Sequence, residues 1–176
     1  MKIACLGWGS LIWKPDDLPV IEPWRTDGPA LPVEFCRVGD GGELSTALCF
    51  DAPNSSVLWT LLTFDSLALA IQALRHREGI PDERAGGVGS LQVDASSTGT
   101  LGAWAQRNGL DAVIWTDLPP RIDDIEGRVP SQAAVIAYLR SLSGETLAHA
   151  RSYIEAVPAQ IDTPCRRAIA AELGWR

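Results

Sequence analysis

Residues 57–79, VLWTLLTFDSLALAIQALRHREG, change their periodicity half-way, and that change decides what kind of fold the chain adopts. The first eight residues, VLWTLLTF, are rich in β-branched and aromatic side chains and read as a strand. After Asp65 and Ser66 the apolar residues fall at Leu67, Ala70, Ile71 and Leu74, the spacing of one helix face. Gly79 ends that helix, because glycine enters the left-handed region without steric cost. Glu78 is thereby set at the helix terminus, beside backbone that must turn sharply.

Upstream, VEFCRV (33–38) and STALCF (45–50) are further strand-like runs, separated by GDGG and DAPNSS, and together with 57–64 they predict a three-strand meander. The run at 33–38 alternates imperfectly, with Glu34 and Arg37 among Val33, Phe35 and Cys36, which predicts an edge strand or a bulge. Pro15, Pro19, Pro23, Pro29 and Pro32 make regular structure improbable across 13–32, so a long ordered loop is expected there. At the N-terminus KIACL (2–6) reads as a buried strand running into the turn GWGS.

Downstream, SLQV (90–93) and AVIWT (112–116) are strand candidates, and TGTLGAWAQRNG (98–109) is a helix closed by Gly109. Beyond Pro130 the pattern is wholly helical: SQAAVIAYLRSL, TLAHARSYIEAV, and PCRRAIAAEL closed by Gly174. This order predicts an α+β fold in a single domain over 1–176, built on a mixed or barrel-like sheet with flanking helices.

The chain has 176 residues, 46% of them apolar, which is material for a sizeable core. A net charge of −7 argues against nucleic acid as a partner, since holding phosphates requires clustered positive charge. The local pairs Arg75/Arg77 and Arg166/Arg167 read as solvated helix faces. No apolar run approaches the roughly 20 residues that span a bilayer, and MKIACLGWGSLIWKP lacks the pattern of a signal peptide, so a cytoplasmic protein with no membrane partner is expected. Cys5, Cys36, Cys49 and Cys165 are widely spaced and only His76 and His149 accompany them, so neither a metal site nor a disulfide framework is expected.

Two segments have chemical potential. The glycines of GWGS allow close backbone approach and unusual φ, leaving N–H groups able to hold an anion or a developing oxyanion. Glu78 stands at a helix C-terminus, where the macrodipole disfavours negative charge. The plain reading is a solvated glutamate paired with Arg75 or Arg77; the chemical one is a buried general base. Among the other carboxylates Glu34 lies mid-strand, Glu83 in a polar turn, and Glu126 in DDIEGR, whose acidic residues indicate an exposed turn. His76 points off another side of the helix from Glu78.

The strand ending in GWGSLIW, followed by a strand, a helix and REG, resembles the gamma-glutamylcyclotransferase and ChaC-like group in order and spacing, over about half of the chain. The resemblance implies that Gly7, Trp8, Gly9, Ser10, Leu11 and Ile12 hold a gamma-glutamyl head and that Glu78 serves as acid and base. It implies cyclisation of a small gamma-glutamyl amide or peptide to 5-oxoproline, with no cofactor and no metal. Trp8 stands where the family usually has tyrosine, and an indole donates but does not accept. Tyr138 and Tyr153 are candidates for an aromatic that closes the pocket, though a helical tyrosine more often packs in the core with its hydroxyl at the surface. The alternatives are a non-catalytic module that captures a carboxylate or amino-acid head, and an interaction protein whose C-terminal helices pair with a second copy as a homo-oligomer.

Overall fold

The apolar N-terminal run forms a strand in which every residue is buried, and the rest of the architecture is arranged around strands of this kind. The computed structural model describes residues 1–176. Its strands are β1 (Ile3–Gly7), β2 (Val20–Arg25), β3 (Ala30–Val38), β4 (Leu44–Leu48), β5 (Asn54–Ser56), β6 (Leu58–Leu62), β7 (Gly87–Gln92), β8 (Ala112–Asp117), β9 (Arg121–Ile122) and β10 (Ile125–Glu126). Its helices are α1 (Leu67–Arg77), α2 (Gly99–Arg107), α3 (Gln132–Ser141), α4 (Gly144–Ala156) and α5 (Pro164–Leu173). The class is α+β. The chain divides into two compact units interleaved along the sequence: Met1–Gly7, Leu11–Ala30 and Ser56–Leu118 form the first, and Trp8–Ser10, Leu31–Ser55 and Pro119–Arg176 the second.

The first unit carries a five-stranded sheet in the order β2-β6-β1-β8-β7. β1 runs antiparallel to β6 and parallel to β8, so the sheet is mixed; it curls without closing into a barrel. Because β1 and β8 are parallel, their C-terminal ends, Gly7 and Asp117, point the same way. Helix α1 is capped by Ser66, whose side chain accepts from the Leu69 N–H, and it buries Ala70 and Leu74. Gly79 follows at φ 63°, the left-handed stop that the sequence requires.

Two expectations fail in this unit. The proline-rich stretch is not all loop, because it contains β2. That strand lies at the sheet edge, Pro23 follows a cis peptide bond, and the register with β6 shifts between Ile21 and Arg25. A missing N–H is tolerated at such an edge irregularity. The three-strand meander is also wrong: β3 and β4 pair as expected, but β6 lies between β1 and β2 in the other sheet. With four of its five residues buried, β6 is an interior strand that needs partners along both edges.

The second unit has the strand order β10-β9-β3-β4, with β5 also paired to β3. The imperfect alternation at 33–38 corresponds to a register shift between Phe35 and Arg37. Ser131 and Thr163 cap α3 and α5, each accepting a backbone N–H at 3.1 Å. Arg166 donates to the carbonyls of Ile154, Val157, Pro158 and Ile161, tying off the end of α4. Arg166 is therefore not part of a solvated face. Within the first unit Arg75 is similarly engaged, with the carbonyls of Pro81, Arg84 and Gly86. All four cysteines are free and buried, and no helix is long and apolar enough to cross a membrane.

Candidate functional site

In the first unit the end of α1 brings Glu78 to β8. The Thr116 hydroxyl donates to Glu78 Oε1 at 2.8 Å. Arg77 Nη1 lies 3.4 Å from Glu78 Oε2, and the two side chains are only 9% and 16% exposed. Of the two arginines that could pair with Glu78, Arg77 does so, while Arg75 is taken up by the loop that follows the helix. Arg77 also donates from Nε and Nη2 to the Lys14 carbonyl, at 3.2 and 2.5 Å, and its Nε stands 3.9 Å from Asp16. One guanidinium thus fixes both the catalytic candidate and the segment that follows the GWGSLIW loop.

This setting has a chemical consequence. A threonine hydroxyl donates to a carboxylate and accepts from a carboxylic acid, so Glu78 keeps its Thr116 partner in either protonation state. Cys5, on β1, feels the same carboxylate: complete burial pushes its thiol well up, the Glu78 charge adds to that, and Arg77 pulls the other way. Cys5 is accordingly an inert thiol rather than a nucleophile.

Three residues of the loop belong to this unit. A side chain at Gly7 would meet the Trp24 ring, with a Cβ 2.6 Å from Cζ3. Leu11 is buried and Ile12 half-buried.

The other three, Trp8, Gly9 and Ser10, belong to the second unit. Thr46 Oγ1 donates to the Trp8 carbonyl at 2.9 Å, and Tyr153 Oη lies 3.1 Å from the same Oγ1 while accepting the Thr46 N–H at 3.2 Å. A Cβ on Gly9 would overlap the Tyr153 hydroxyl and stand 2.6 Å from Thr46 Oγ1. Neither Gly7 nor Gly9 has positive φ; both glycines serve close approach, and the expectation of unusual φ is corrected. The Trp8 and Leu11 side chains are 5% and 4% exposed, so these residues contribute to a site chiefly through backbone. Ser10 is half-buried.

The rival carboxylates have other work. Glu34 accepts the backbone N–H of Phe35 at 2.7 Å and of Cys165 at 3.2 Å. Glu126 receives both Nη atoms of Arg37, at 2.9 and 3.0 Å, and lies 3.5 Å from Arg121 Nε. Asp123 and Asp124 form the tight turn between β9 and β10, both with positive φ, in keeping with an exposed acidic turn. Glu83 and His76 are exposed. Tyr138 donates to the Gly42 carbonyl at 2.6 Å. Tyr153 departs from the usual helical tyrosine, since its hydroxyl makes buried hydrogen bonds.

Sequence reasoning passed over Thr46 and Thr116. Each is a hydroxyl inside a short apolar run, STALCF and AVIWT, and a hydroxyl drawn into an interior must find a partner. That was the available signal. No group of three or more His, Cys, Asp or Glu side chains is arranged to hold a metal ion. No protein-family model, curated protein or solved structure matches the chain.

Proposed function

We propose that the protein is a gamma-glutamylcyclotransferase-like enzyme that converts a small gamma-glutamyl amide or peptide to 5-oxoproline and a free amine. The observation that carries this reading is the setting of Glu78: a largely shielded carboxylate whose hydroxyl partner, Thr116, accommodates both protonation states. Glu78 removes a proton from the substrate's α-ammonium, and the freed amine attacks its own γ-carbonyl carbon. A C–N bond forms to give a tetrahedral oxyanion, which by the resemblance to the family falls to the N–H groups of the Gly7–Ile12 loop to stabilise. The C–N bond to the leaving group then breaks, Glu78 returns its proton to the departing amine, and the second proton of the ring nitrogen passes to solvent or to the released amine, leaving the neutral lactam.

The resemblance of GWGSLIW and REG supplies the substrate class, and the geometry around Glu78 supports the acid–base role. The deciding experiment is 5-oxoproline release from glutathione, gamma-glutamyl amino acids and gamma-glutamyl amines, by wild type and Glu78→Gln. Release by wild type alone supports the reading; equal release by both variants overturns it.

One observation favours a second reading. The Arg77 guanidinium engages Glu78 in an ion pair, which occupies the carboxylate and suits a non-catalytic module that captures a carboxylate or amino-acid head without turnover. Saturable binding of gamma-glutamyl compounds recovered intact after long incubation would select that binding module.

A further inference from the structure

The first unit has a groove of about 560 Å³, lined by Asp16, Asp17 and Leu18 from the segment before β2 and by Ala73, His76 and Arg77 from the last turns of α1. Residues 73, 76 and 77 have the i, i+3, i+4 spacing of one helix face, beside the face that buries Ala70 and Leu74. Arg77 ties the two walls together through the Lys14 carbonyl, and Ala73, which presents only a methyl group, leaves the space between them open. A volume of this size is that of a small-molecule site. We propose that the groove binds an aliphatic ammonium ion, and that it takes the charged tail of the amine that leaves Glu78.

The charges on its walls do not balance. The single Arg77 guanidinium has Glu78 at 3.4 Å and Asp16 at 3.9 Å, so two carboxylates already share it. Asp17 adds a third carboxylate, which pairs with no group of the protein. A cleft with an excess of one sign draws ions of the other. A metal ion is not the match, because no three His, Cys, Asp or Glu side chains are arranged to hold one. An ammonium group makes no such demand, and Leu18 and Ala73 give its methylene chain an apolar surface. The groove also adjoins the chemistry, since the guanidinium that lines it reaches Glu78 through Nη1. All of these residues belong to the first unit. The assignment to the leaving amine rests on the cyclotransferase reading; the binding of an ammonium ion does not.

Titration of the 15N-labelled protein with 1,4-diaminobutane tests the groove directly. Saturable shifts of the Asp17, Ala73 and His76 amide signals are expected, and 1,4-butanediol, the neutral counterpart, produces none. Asp17→Asn weakens diamine binding about fivefold, the size of one exposed charge pair. Ala73→Met, which fills the space with a good helix former, abolishes saturation. Thermal melts of both variants separate these losses from unfolding. No saturable shift with the diamine, equal shifts with butanediol, or diamine binding unchanged in both folded variants overturns the site. Turnover tests the leaving-amine assignment. In wild type, kcat/KM for the gamma-glutamyl amide of 1,4-diaminobutane exceeds that for the gamma-glutamyl amide of butylamine about fivefold, and the ratio falls towards one in Asp17→Asn. Equal kcat/KM for the two amides in an active wild type overturns that assignment. If wild type releases no 5-oxoproline from any substrate, the cyclotransferase reading fails, and the diamine titration still decides whether the groove takes an ammonium ion.

Discussion

Glu34 and Glu78 are both carboxylates withdrawn from solvent, yet they are held in different ways. Glu34 accepts two backbone N–H groups, from Phe35 and from Cys165 in the first turn of α5, and also meets the Cys165 thiol. Backbone donors cannot reverse their roles, so Glu34 serves as a structural clasp between β3 and the start of α5. Glu78 is held by side chains, the Thr116 hydroxyl and the Arg77 guanidinium, at the unfavourable end of a helix. What separates a structural carboxylate from a chemical one is therefore less its burial than whether its partners tolerate both protonation states.

The largest effects should fall on different observables for the two residues. Glu78→Gln is expected to lower 5-oxoproline release by 10²–10⁴-fold, the usual range for loss of a general acid–base, with a thermal midpoint close to wild type. Glu34→Ala should do the reverse, costing about 2–3 kcal/mol in urea unfolding because two inward-facing N–H groups lose their acceptor, while turnover per folded molecule is preserved. A variant of either residue that moved both observables equally would break the distinction.

Two smaller effects sharpen it. Burial pushes the Cys165 thiol up to about 12 from 9.0, with the neighbouring Glu34 charge as the next cause. The folded thiol thus stays protonated where the unfolded one ionises. Its contribution to stability is fully present below about pH 9 and is lost as pH rises towards 12, at about 1.4 kcal/mol per pH unit. Urea midpoints at pH 8 and pH 10 measure the combined slope, to which the buried Cys5 and Cys36 thiols, also pushed up, add in the same sense, and Cys165→Ala should make it shallower without abolishing it. Thr116→Val should lower kcat by about tenfold through loss of orientation at Glu78, with Thr116→Ser close to wild type. Equal losses in the two Thr116 variants would mean that the methyl, not the hydroxyl, matters.

Helices were the most legible part of the sequence, because each announces its face, its cap and its stop locally: Ser66 with Gly79, and Thr163 with Gly174, mark the ends of α1 and α5. Glu78 was legible for the same reason. Strand partnership was not, since pairing is settled by distant segments. Nothing in VLWTLLTF says that it lies between β1 and β2 rather than beside β4, and nothing around Pro23 reveals an edge that tolerates it. The partners of the loop were hidden likewise. Thr46 and Tyr153 stand 107 residues apart in the chain and meet through a hydroxyl pair with no motif of its own.

The clasp between Glu34 and the Cys165 N–H joins residues separated by 131 positions. At the usual synthesis rate of 5–20 residues per second, roughly 7 to 26 seconds pass between the emergence of one partner and the other. Throughout that interval β3 carries a carboxylate with no helix start to receive it, and Thr46 likewise awaits the Tyr153 hydroxyl. The first unit, complete by residue 118, can consolidate on the ribosome, whereas the second is held open by its own unpaired polar groups until nearly the last residues are made.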